Sequence, residues 1–263
     1  MKRMFFGLLA IGFALCLSSI NYALAQSAIE FFADAADTVI APDSDSLDID
    51  GTEFTMEAWV FAPGTQTGNG NEGIIINKED SYEMALRGGD DRLMFAIQAG
   101  AWDWFGGGKP TMNEWHHLAV TYDGTTSQGW IDGVAAPDPT DANTLAITPQ
   151  DGDASPFQIG RRVCCDGVPF LGIIDEVRIS DVVRYTKDFD RPTTEFAPDK
   201  NTRLLWHLNE GSGTEVSDAS GNKNTGKLEG APKWVDGAPI SPVTAVQPDG
   251  KLATMWAIVK SRR

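Results

Sequence analysis

The stretch Asn113–Gly133, NEWHHLAVTYDGTTSQGWIDG, places two adjacent histidines in a run rich in β-forming residues. Side chains that are neighbours in a strand point to opposite faces. His116 and His117 therefore diverge, each among mostly apolar neighbours on its own face. Two ligands of one metal must converge, so the pattern favours two packed and hydrogen-bonded imidazoles in a central strand. A metal site or a proton relay is the alternative.

Short β-rich runs, separated by turn residues, recur on both sides of this strand. They are Phe54–Phe61, Gly73–Asn77, Tyr82–Leu86, Leu93–Gln98, Trp115–Tyr122, Gly129–Ile131, Phe157–Ile159, Leu171–Ile179 and Arg203–Leu208. Asp123-Gly124 and Asp132-Gly133 are typical of hairpin turns. Close spacing without long helical periodicity predicts an all-β fold, an antiparallel two-sheet β-sandwich. Residues 180–200 are predicted to form a short helix or an extended connection.

Four segments carry a family resemblance. They are Phe54–Gly64 (FTMEAWVFAPG), the Asn113–Gly133 stretch, Phe170–Tyr185 (FLGIIDEVRISDVVRY) and Leu204–Leu228 (LLWHLNEGSGTEVSDASGNKNTGKL). Together they resemble LamG-like jellyroll domains of the concanavalin A-like lectin/glucanase superfamily. The resemblance implies a jelly-roll sandwich, and it raises the expectation of a bound calcium ion.

The order of these segments departs from many relatives, in which the DxSGNxNxG segment opens the domain. Here that segment comes near the end. About 35 residues from Arg203 are too few to bury a core of their own. We therefore expect one domain over residues 26–240, with core motifs in 54–185, to which this segment contributes strands. A truncated second domain is the alternative.

The two ends of the chain differ from the predicted sandwich. Lys2 and Arg3, an apolar run and Ala23-Leu24-Ala25 are typical of a cleaved signal peptide over residues 1–25. This predicts a secreted or periplasmic protein with no transmembrane segment after cleavage. Residues 241–263 combine a Pro-rich linker with an amphipathic stripe ending in Lys and Arg, and this tail could dock on a partner or simply fray.

The chain is strongly acidic, with a formal net charge of −16. The predicted signal peptide carries two positive residues and no acid, so its removal leaves the remainder more acidic still. Such charge argues against nucleic acid and anionic membranes as partners. It is compatible with calcium held by carboxylates.

The stretch QAGAWDWFGGGKP, residues 98–110, contains the best candidate ligand platform. Trp102 and Trp104 share one face of an extended segment, and aromatic faces can stack on sugar rings. Phe105 follows, and Asp103 and Asn113 could supply polar contacts. The alternative is that both tryptophans pack inside the sandwich.

Oxygen-rich side chains suggest a structural calcium site. Asp218, Asn222 and Asn224 alternate in SDASGNKNTG, and Asp37 lies on the N-terminal segment. Strict alternation in IIDEVRIS places Asp175 among aliphatic residues, where a carboxylate needs a partner. Calcium, or hydrogen bonds to a calcium-binding loop, is one interpretation. An Asx-rich turn and a carboxylate paired with arginine or backbone amides are the alternatives.

Cys164 and Cys165 are adjacent and would remain after signal cleavage. A strained vicinal disulfide, a bridge to another molecule and a rigid tight turn with no redox role are the three possibilities.

Catalytic motifs are missing from the sequence, which contains neither E-x-D-x-x-E nor G-x-S-x-G. We therefore expect a secreted, non-catalytic module that binds extracellular carbohydrate, with a structural calcium as possible cofactor. The first alternative is a protein–protein or cell-surface adhesion module, and the second is a glycoside hydrolase or lyase. Two acids converging beside the tryptophans would favour the hydrolase.

Overall fold

A computed structural model describes residues 26–34, 36–49, 51–67, 72–87, 89–98, 102–136, 154–164 and 168–242. Within these residues the secondary structure is all β. The strands are β1 Ser27–Phe32, β2 Thr38–Ala41, β3 Phe54–Phe61, β4 Gly73–Lys78, β5 Tyr82–Arg87, β6 Arg92–Gln98, β7 Trp102–Gly106, β8 Trp115–Tyr122, β9 Ser127–Ile131, β10 Val134–Ala135, β11 Phe157–Ile159, β12 Leu171–Ser180, β13 Thr202–Trp206, β14 Glu215–Val216, β15 Gly226–Glu229 and β16 Lys233–Asp236. The predicted signal peptide, and the predicted C-terminal tail from residue 243 onward, lie outside the described residues.

The strands form two antiparallel sheets packed face to face. Sheet A has the order β10-β9-β8-β3-β12-β1-β16, with β13 also paired to β12, and sheet B has the order β14-β15-β2-β11-β4-β5-β6-β7. One large cluster of buried apolar side chains, contributed by both sheets, fills the space between them. The predicted two-sheet β-sandwich is confirmed.

The C-terminal strands belong to both sheets. β13 pairs with β12 and β16 pairs with β1 in sheet A, whereas β15 pairs with β2 in sheet B. Trp206 of β13 is fully buried in the shared core. The segment that begins near Arg203 therefore completes the sandwich instead of starting a separate core.

Residues 181–201 cross the outer face of sheet A as an extended connection without helix. Tyr185 and Phe189 stack with ring centroids 3.7 Å apart, and Phe196 packs with Trp59 of β3 in a second, smaller apolar cluster. Sheet A is consequently covered on both faces, which explains why β3 and β8 have few exposed side chains.

A buried carboxylate, Glu57 of β3, lies beneath this crossing segment. It accepts hydrogen bonds from Arg178 Nε at 2.8 Å and from Tyr185 Oη at 2.8 Å, and it lies 2.9 Å from His117 Nε2. Burial opposes ionisation of Glu57, but the Arg178 guanidinium and the hydrogen bonds from His117 and Tyr185 lower its pKa to about 2. The charge of Glu57 is therefore retained inside the protein.

The two histidines of β8 diverge, as the alternation predicts. His117 is fully buried against Glu57 on the outer face of sheet A. His116 lies on the core side, where its Nδ1 is 2.7 Å from Asp132 Oδ2 and its Nε2 is 2.8 Å from Thr111 Oγ1. Each imidazole is packed and hydrogen-bonded, and the two do not form a joint site.

A β-bulge in β12 overturns the predicted faces of the IIDEVRIS segment. The register with β3 shifts between Asp175 and Arg178, and Glu176 has a φ of 49°. Asp175 therefore points to the outer face with Trp59, whereas strict alternation wrongly placed it with Val177 and Ile179. Its carboxylate accepts hydrogen bonds from the backbone amides of Glu176 and Ala238, each at 2.8 Å.

Substitution of the buried carboxylate of Glu57 tests this network. Glu57→Gln should lower the free energy of unfolding by about 3–5 kcal/mol, because it leaves the Arg178 charge buried without its partner. Urea unfolding at pH 7 measures the change. Glu53→Gln, an exposed carboxylate just before the same strand, should change stability by less than about 0.5 kcal/mol. Equal stability of both variants would show that the network contributes little.

Candidate functional site

The outer face of sheet B, on the side away from the core, carries an unusual set of polar and aromatic side chains. Cross-strand pairing aligns Asn77 of β4, Glu83 of β5, Ala96 of β6 and Trp104 of β7 in one row. In the next row, Gln98 pairs with Trp102. The connection that follows β11 lies across this face, and its Val168 packs against Ile74, Ala85 and Trp104. We call this surface the outer B face.

The predicted tryptophan platform lies on the outer B face, and both tryptophans are partly exposed. Trp104 packs against the small apolar cluster, and the Arg87 guanidinium lies 3.8 Å from its ring centroid. Trp102 is not part of that cluster among the described residues, and the Arg162 guanidinium lies 5.7 Å from its ring centroid. We therefore take Trp102 as the candidate for stacking on a ligand.

The other residues predicted around this platform do not join it in the described structure. Phe105 is buried on the core side, stacked on Phe95 with centroids 5.3 Å apart, because it alternates with the tryptophans along β7. Asn113 lies in the turn before β8, where its backbone N–H donates to the Ala62 carbonyl oxygen beside sheet A. The strand backbone places Asp103 opposite Ile97, and its side chain is outside the description.

Two carboxylates converge next to Trp102. Arg162 Nη2 donates to Glu79 Oε1 at 2.8 Å, and its Nε lies 3.5 Å from Glu83 Oε2. Asn77 Nδ2 donates to Glu83 Oε2 at 2.8 Å and more weakly to Glu79 Oε2 at 3.4 Å. Glu79 and Glu83 therefore share the same two donors, and both are buried.

Several buried oxygen atoms of this face have no hydrogen-bond partner. Of the nine such side-chain N and O atoms among the described residues, four are Asn77 Oδ1, Ser81 Oγ, Glu83 Oε1 and Gln98 Oε1. Buried polar atoms normally have partners, and each unpaired one costs free energy. A group of unpaired acceptors on one surface is therefore where hydroxyl groups of a ligand or water would bind.

Burial raises the pKa of Glu83 to about 8, with Arg162 opposing the rise and Glu72 and Glu79 adding to it. Burial also raises the pKa of Glu72, against the opposing charges of Arg87 and Arg162. Glu83 is thus predominantly protonated near neutral pH. A neutral carboxyl group can both donate and accept hydrogen bonds, which suits the recognition of hydroxyl groups.

Sequence reasoning identified the tryptophans but missed Asn77, Glu79, Glu83, Gln98 and Arg162. Alternation in YEMALR places Glu83 on the face opposite Tyr82, Met84 and Leu86, which was the available signal. The bulge between Ile74 and Ile76 changes that phase in β4. Arg162 comes from a distant connection, and no local pattern links it to the two strands.

The candidate calcium ligands lie in three separate places. Asp218 accepts hydrogen bonds from the amides of Leu205 and Asn224, both within 3.0 Å, and from the residues of its own turn. Asp37 accepts from the amide of Ala231, and Asp175 accepts from the amides named above. Asn222 Nδ2 donates to the Arg203 carbonyl oxygen, and so does Asn224 Nδ2.

These residues do not fit one calcium site as they lie. Their carboxylates already accept backbone amides, and the described part of the chain contains no cluster of three or more His, Cys, Asp or Glu side chains suited to a metal. The calcium inferred from the sequence stays a prediction. So does the Cys164–Cys165 disulfide, because Cys165 lies outside the described residues.

A concavity of about 280 Å³ lies between sheet A and its crossing segment. Its lining residues are Thr121, Asp123, Thr126, Gln128, Trp130, Ala135, Val183, Tyr185, Thr186 and Lys187. Trp130 Nε1 donates to Thr121 Oγ1 and Tyr185 Oη donates to Glu57. Two of its central polar groups are thus engaged within the protein, so the outer B face is the better candidate.

The fold and the tryptophan-bearing outer B face together define a β-sandwich of the lectin type. The family model for laminin G domains of type 3, described as concanavalin A-like lectin/glucanases superfamily, matches residues 34–188. This match covers more than half of the chain, and the protein belongs to this family. The resemblance predicted from the four sequence segments is confirmed.

Solved structures share the fold at low sequence identity. A Bacteroides ovatus protein inferred to bind carbohydrate aligns with a TM-score of 0.64 and 20% identity over 82% of this chain, which spans 62% of that structure. Domain 4 of the GH43 arabinanase AbnA from Geobacillus stearothermophilus, in complex with arabinotriose, aligns with a TM-score of 0.39 and 23% identity. That alignment covers 52% of this chain and 64% of the AbnA domain. Domains LG4-5 of the mouse laminin α1 chain align with a TM-score of 0.41 and 13% identity, over 66% of this chain and 48% of the laminin structure.

The AbnA and laminin similarities are too distant to inform the site. The similarity to the Bacteroides ovatus structure shows the fold alone. No curated protein matches the chain significantly. The described residues include no helix that is long and apolar enough to cross a membrane.

The raised pKa of Glu83 predicts a stability difference that depends on pH. The ordinary pKa of glutamate is 4.5, so between pH 4.5 and about 8 the folded protein holds a proton that the unfolded chain releases. The stability contributed by this proton is fully present below pH 4.5 and is lost as the pH rises through 8. Relative to Glu83→Gln, the wild-type protein should lose about 2–4 kcal/mol of unfolding free energy between pH 5 and pH 8.5.

Urea unfolding of both proteins across this pH range measures the difference, and Glu53→Gln serves as the control for an exposed carboxylate. Parallel stability curves for wild type and Glu83→Gln would show that Glu83 is ionised in the folded protein.

Proposed function

We propose that this protein is an exported, non-catalytic carbohydrate-binding module whose site is the outer B face. The observation that carries the proposal is the partly exposed Trp102 ring beside buried oxygen acceptors that have no hydrogen-bond partner among the described residues. Sugar rings offer apolar faces to an indole and hydroxyl donors to such acceptors. The lectin-type fold and the inferred carbohydrate binding of the Bacteroides ovatus protein support this assignment.

The adjoining acids favour a second candidate function, glycoside hydrolysis. Glu83 with its raised pKa and Glu79 paired with Arg162 are two carboxylates in different electrostatic environments, as an acid and its partner must be. Binding without hydrolysis remains our proposal, because both carboxylates are buried and hold the same two donors. Release of reducing sugar from a bound polysaccharide, abolished by Glu79→Gln and by Glu83→Gln, would establish the hydrolase instead.

Removal of the Trp102 ring tests the proposed platform. Native gels cast with single polysaccharides should retard the wild-type protein on at least one, and Trp102→Ala should weaken that binding by at least about tenfold. Trp234→Ala, a partly buried tryptophan on β16 of the other sheet, should bind as wild type does. Retained binding by a folded Trp102→Ala protein would move the site elsewhere. A folded wild-type protein that binds no polysaccharide would favour protein adhesion.

Calcium is proposed only as a structural ion. If the sequence-based expectation is right, excess chelator should lower the melting temperature and added calcium should restore it, since binding to the native state alone stabilises that state. Thermal unfolding in chelator, in calcium and in magnesium measures this effect. A melting temperature unchanged by chelator would contradict the proposal of a calcium ion without affecting that of carbohydrate binding.

A further inference from the structure

We infer that the outer B face selects a neutral, hydroxyl-rich polysaccharide, and that Asn77, Glu83 and Gln98 determine this specificity. The inference rests on the proposed function and names the class of ligand for the same site. It distinguishes sugars that offer hydroxyl donors from sugars that carry carboxylate or ammonium groups.

The three acceptors lie next to the aromatic platform. Asn77 and Glu83 are cross-strand partners on β4 and β5, and Gln98 on β6 is the partner of Trp102 on β7. Adjacent strands lie about 4.8 Å apart. Between Glu83 and Trp104 the row contains only Ala96, which is itself fully buried, so one short side chain separates the carboxyl group from the indoles.

The unpaired atoms are all side-chain oxygens that can accept a hydrogen bond. Asn77 Oδ1 and Gln98 Oε1 are amide oxygens and Glu83 Oε1 belongs to a carboxyl group, and each is buried without a hydrogen-bond partner among the described residues. A ligand hydroxyl can donate to each of them. A ligand carboxylate brings only further acceptors, and burying unpaired acceptors against one another costs about 1–3 kcal/mol per group.

The charges of the face argue against an ionic ligand. Arg87 Nε lies 3.1 Å from Glu72 Oε1, and Arg162 forms a two-point pair with Glu79. Each of these two pairs is neutral overall, so Glu83 is the remaining acid of the face. Burial favours the neutral form of Glu83, so the face offers no unpaired charge that would attract an ammonium group.

Arg162 borders the acceptors beside Trp102. Its guanidinium lies 2.8 Å from Glu79 Oε1, 3.5 Å from Glu83 Oε2 and 5.7 Å from the centroid of the Trp102 ring. Its two-point pair with Glu79 must persist, because breaking it would leave the Glu79 carboxylate buried without its partner. A sugar ring stacked on Trp102 would therefore replace only the longer contact with Glu83, and its hydroxyl groups would donate to the unpaired oxygens beside it.

The test compares full-length wild-type protein on three probes of different charge: a neutral β-glucan or arabinan, polygalacturonate and chitosan. Affinity gels and calorimetry should show binding to a neutral polysaccharide and at least tenfold weaker binding to the two charged ones. Glu83→Leu removes the carboxyl group and should weaken neutral binding at least tenfold without improving binding to polygalacturonate, because it removes polar atoms and adds no donor. Glu53→Gln is the matched control and should bind as wild type does.

Gln98→Leu provides a second variant should Glu83→Leu fold poorly, and circular dichroism and melting temperature establish folding in each case. It should weaken neutral binding without improving binding to polygalacturonate, because it removes an acceptor and adds no donor.

The outcomes separate the two proposals. Wild-type binding to polygalacturonate or chitosan that equals or exceeds neutral binding would overturn the specificity inference while upholding carbohydrate recognition. The specificity inference would also be overturned, with carbohydrate recognition upheld, if the folded Glu83 and Gln98 variants both kept wild-type affinity. Failure of the folded wild-type protein to bind any polysaccharide would overturn the proposed function and the inference with it.

Discussion

The buried charge of Glu57 is the constraint around which sheet A is organised. A carboxylate without water must be matched by donors, and here the donors come from three parts of the chain: His117 of β8, Arg178 of β12 and Tyr185 of the crossing segment. The two strands that flank β3 and the segment that covers it are thereby held to one arrangement. Sheet A is thus held together by this network, and the binding that we propose is on the outer face of the opposite sheet.

Glu57 and Glu83 are buried carboxylates whose pKa values shift in opposite directions. Glu57 in sheet A is fully paired and its pKa is lowered, so its charge belongs to the fold. On the outer B face Glu83 is incompletely paired and its pKa is raised, and unpaired oxygens remain beside it. A group that costs stability without completing the fold is a reasonable sign of function, because binding sites retain polar groups that folding alone would remove.

Much of the architecture could be predicted from the sequence because period-two alternation and turn residues are local signals. Phe54–Phe61 and Trp115–Tyr122 have the predicted bounds, and the divergence of His116 and His117 followed directly from alternation. Alternation failed at Asp175, where a bulge inserts an extra residue and reverses the faces. It also placed Trp102 and Trp104 on one face, although Phe105, which was grouped with them, necessarily lies on the other.

The remaining features of the site depend on contacts between distant segments. Nothing near Asn77 or Glu83 indicates that Arg162 will lie across them, since 79 residues of chain separate Glu83 from Arg162. The pKa of Glu83 depends on the burial that this packing creates. The sequence thus indicates which residues are able to act, and only the tertiary structure shows which of them act together.

The pairing of β1 with β16 has a mechanical consequence. Ser27 opposes Asp236 and the Gly237 amide donates to the Gln26 carbonyl oxygen, so the start of β1 and the end of β16 lie at the same end of one antiparallel ladder. A pulling force applied through both flanking segments would load its hydrogen bonds one after another, as in a zipper, and would not load them together in shear. Tension transmitted along the chain would therefore open this edge of the sandwich first, far in sequence from the strands that carry the outer B face.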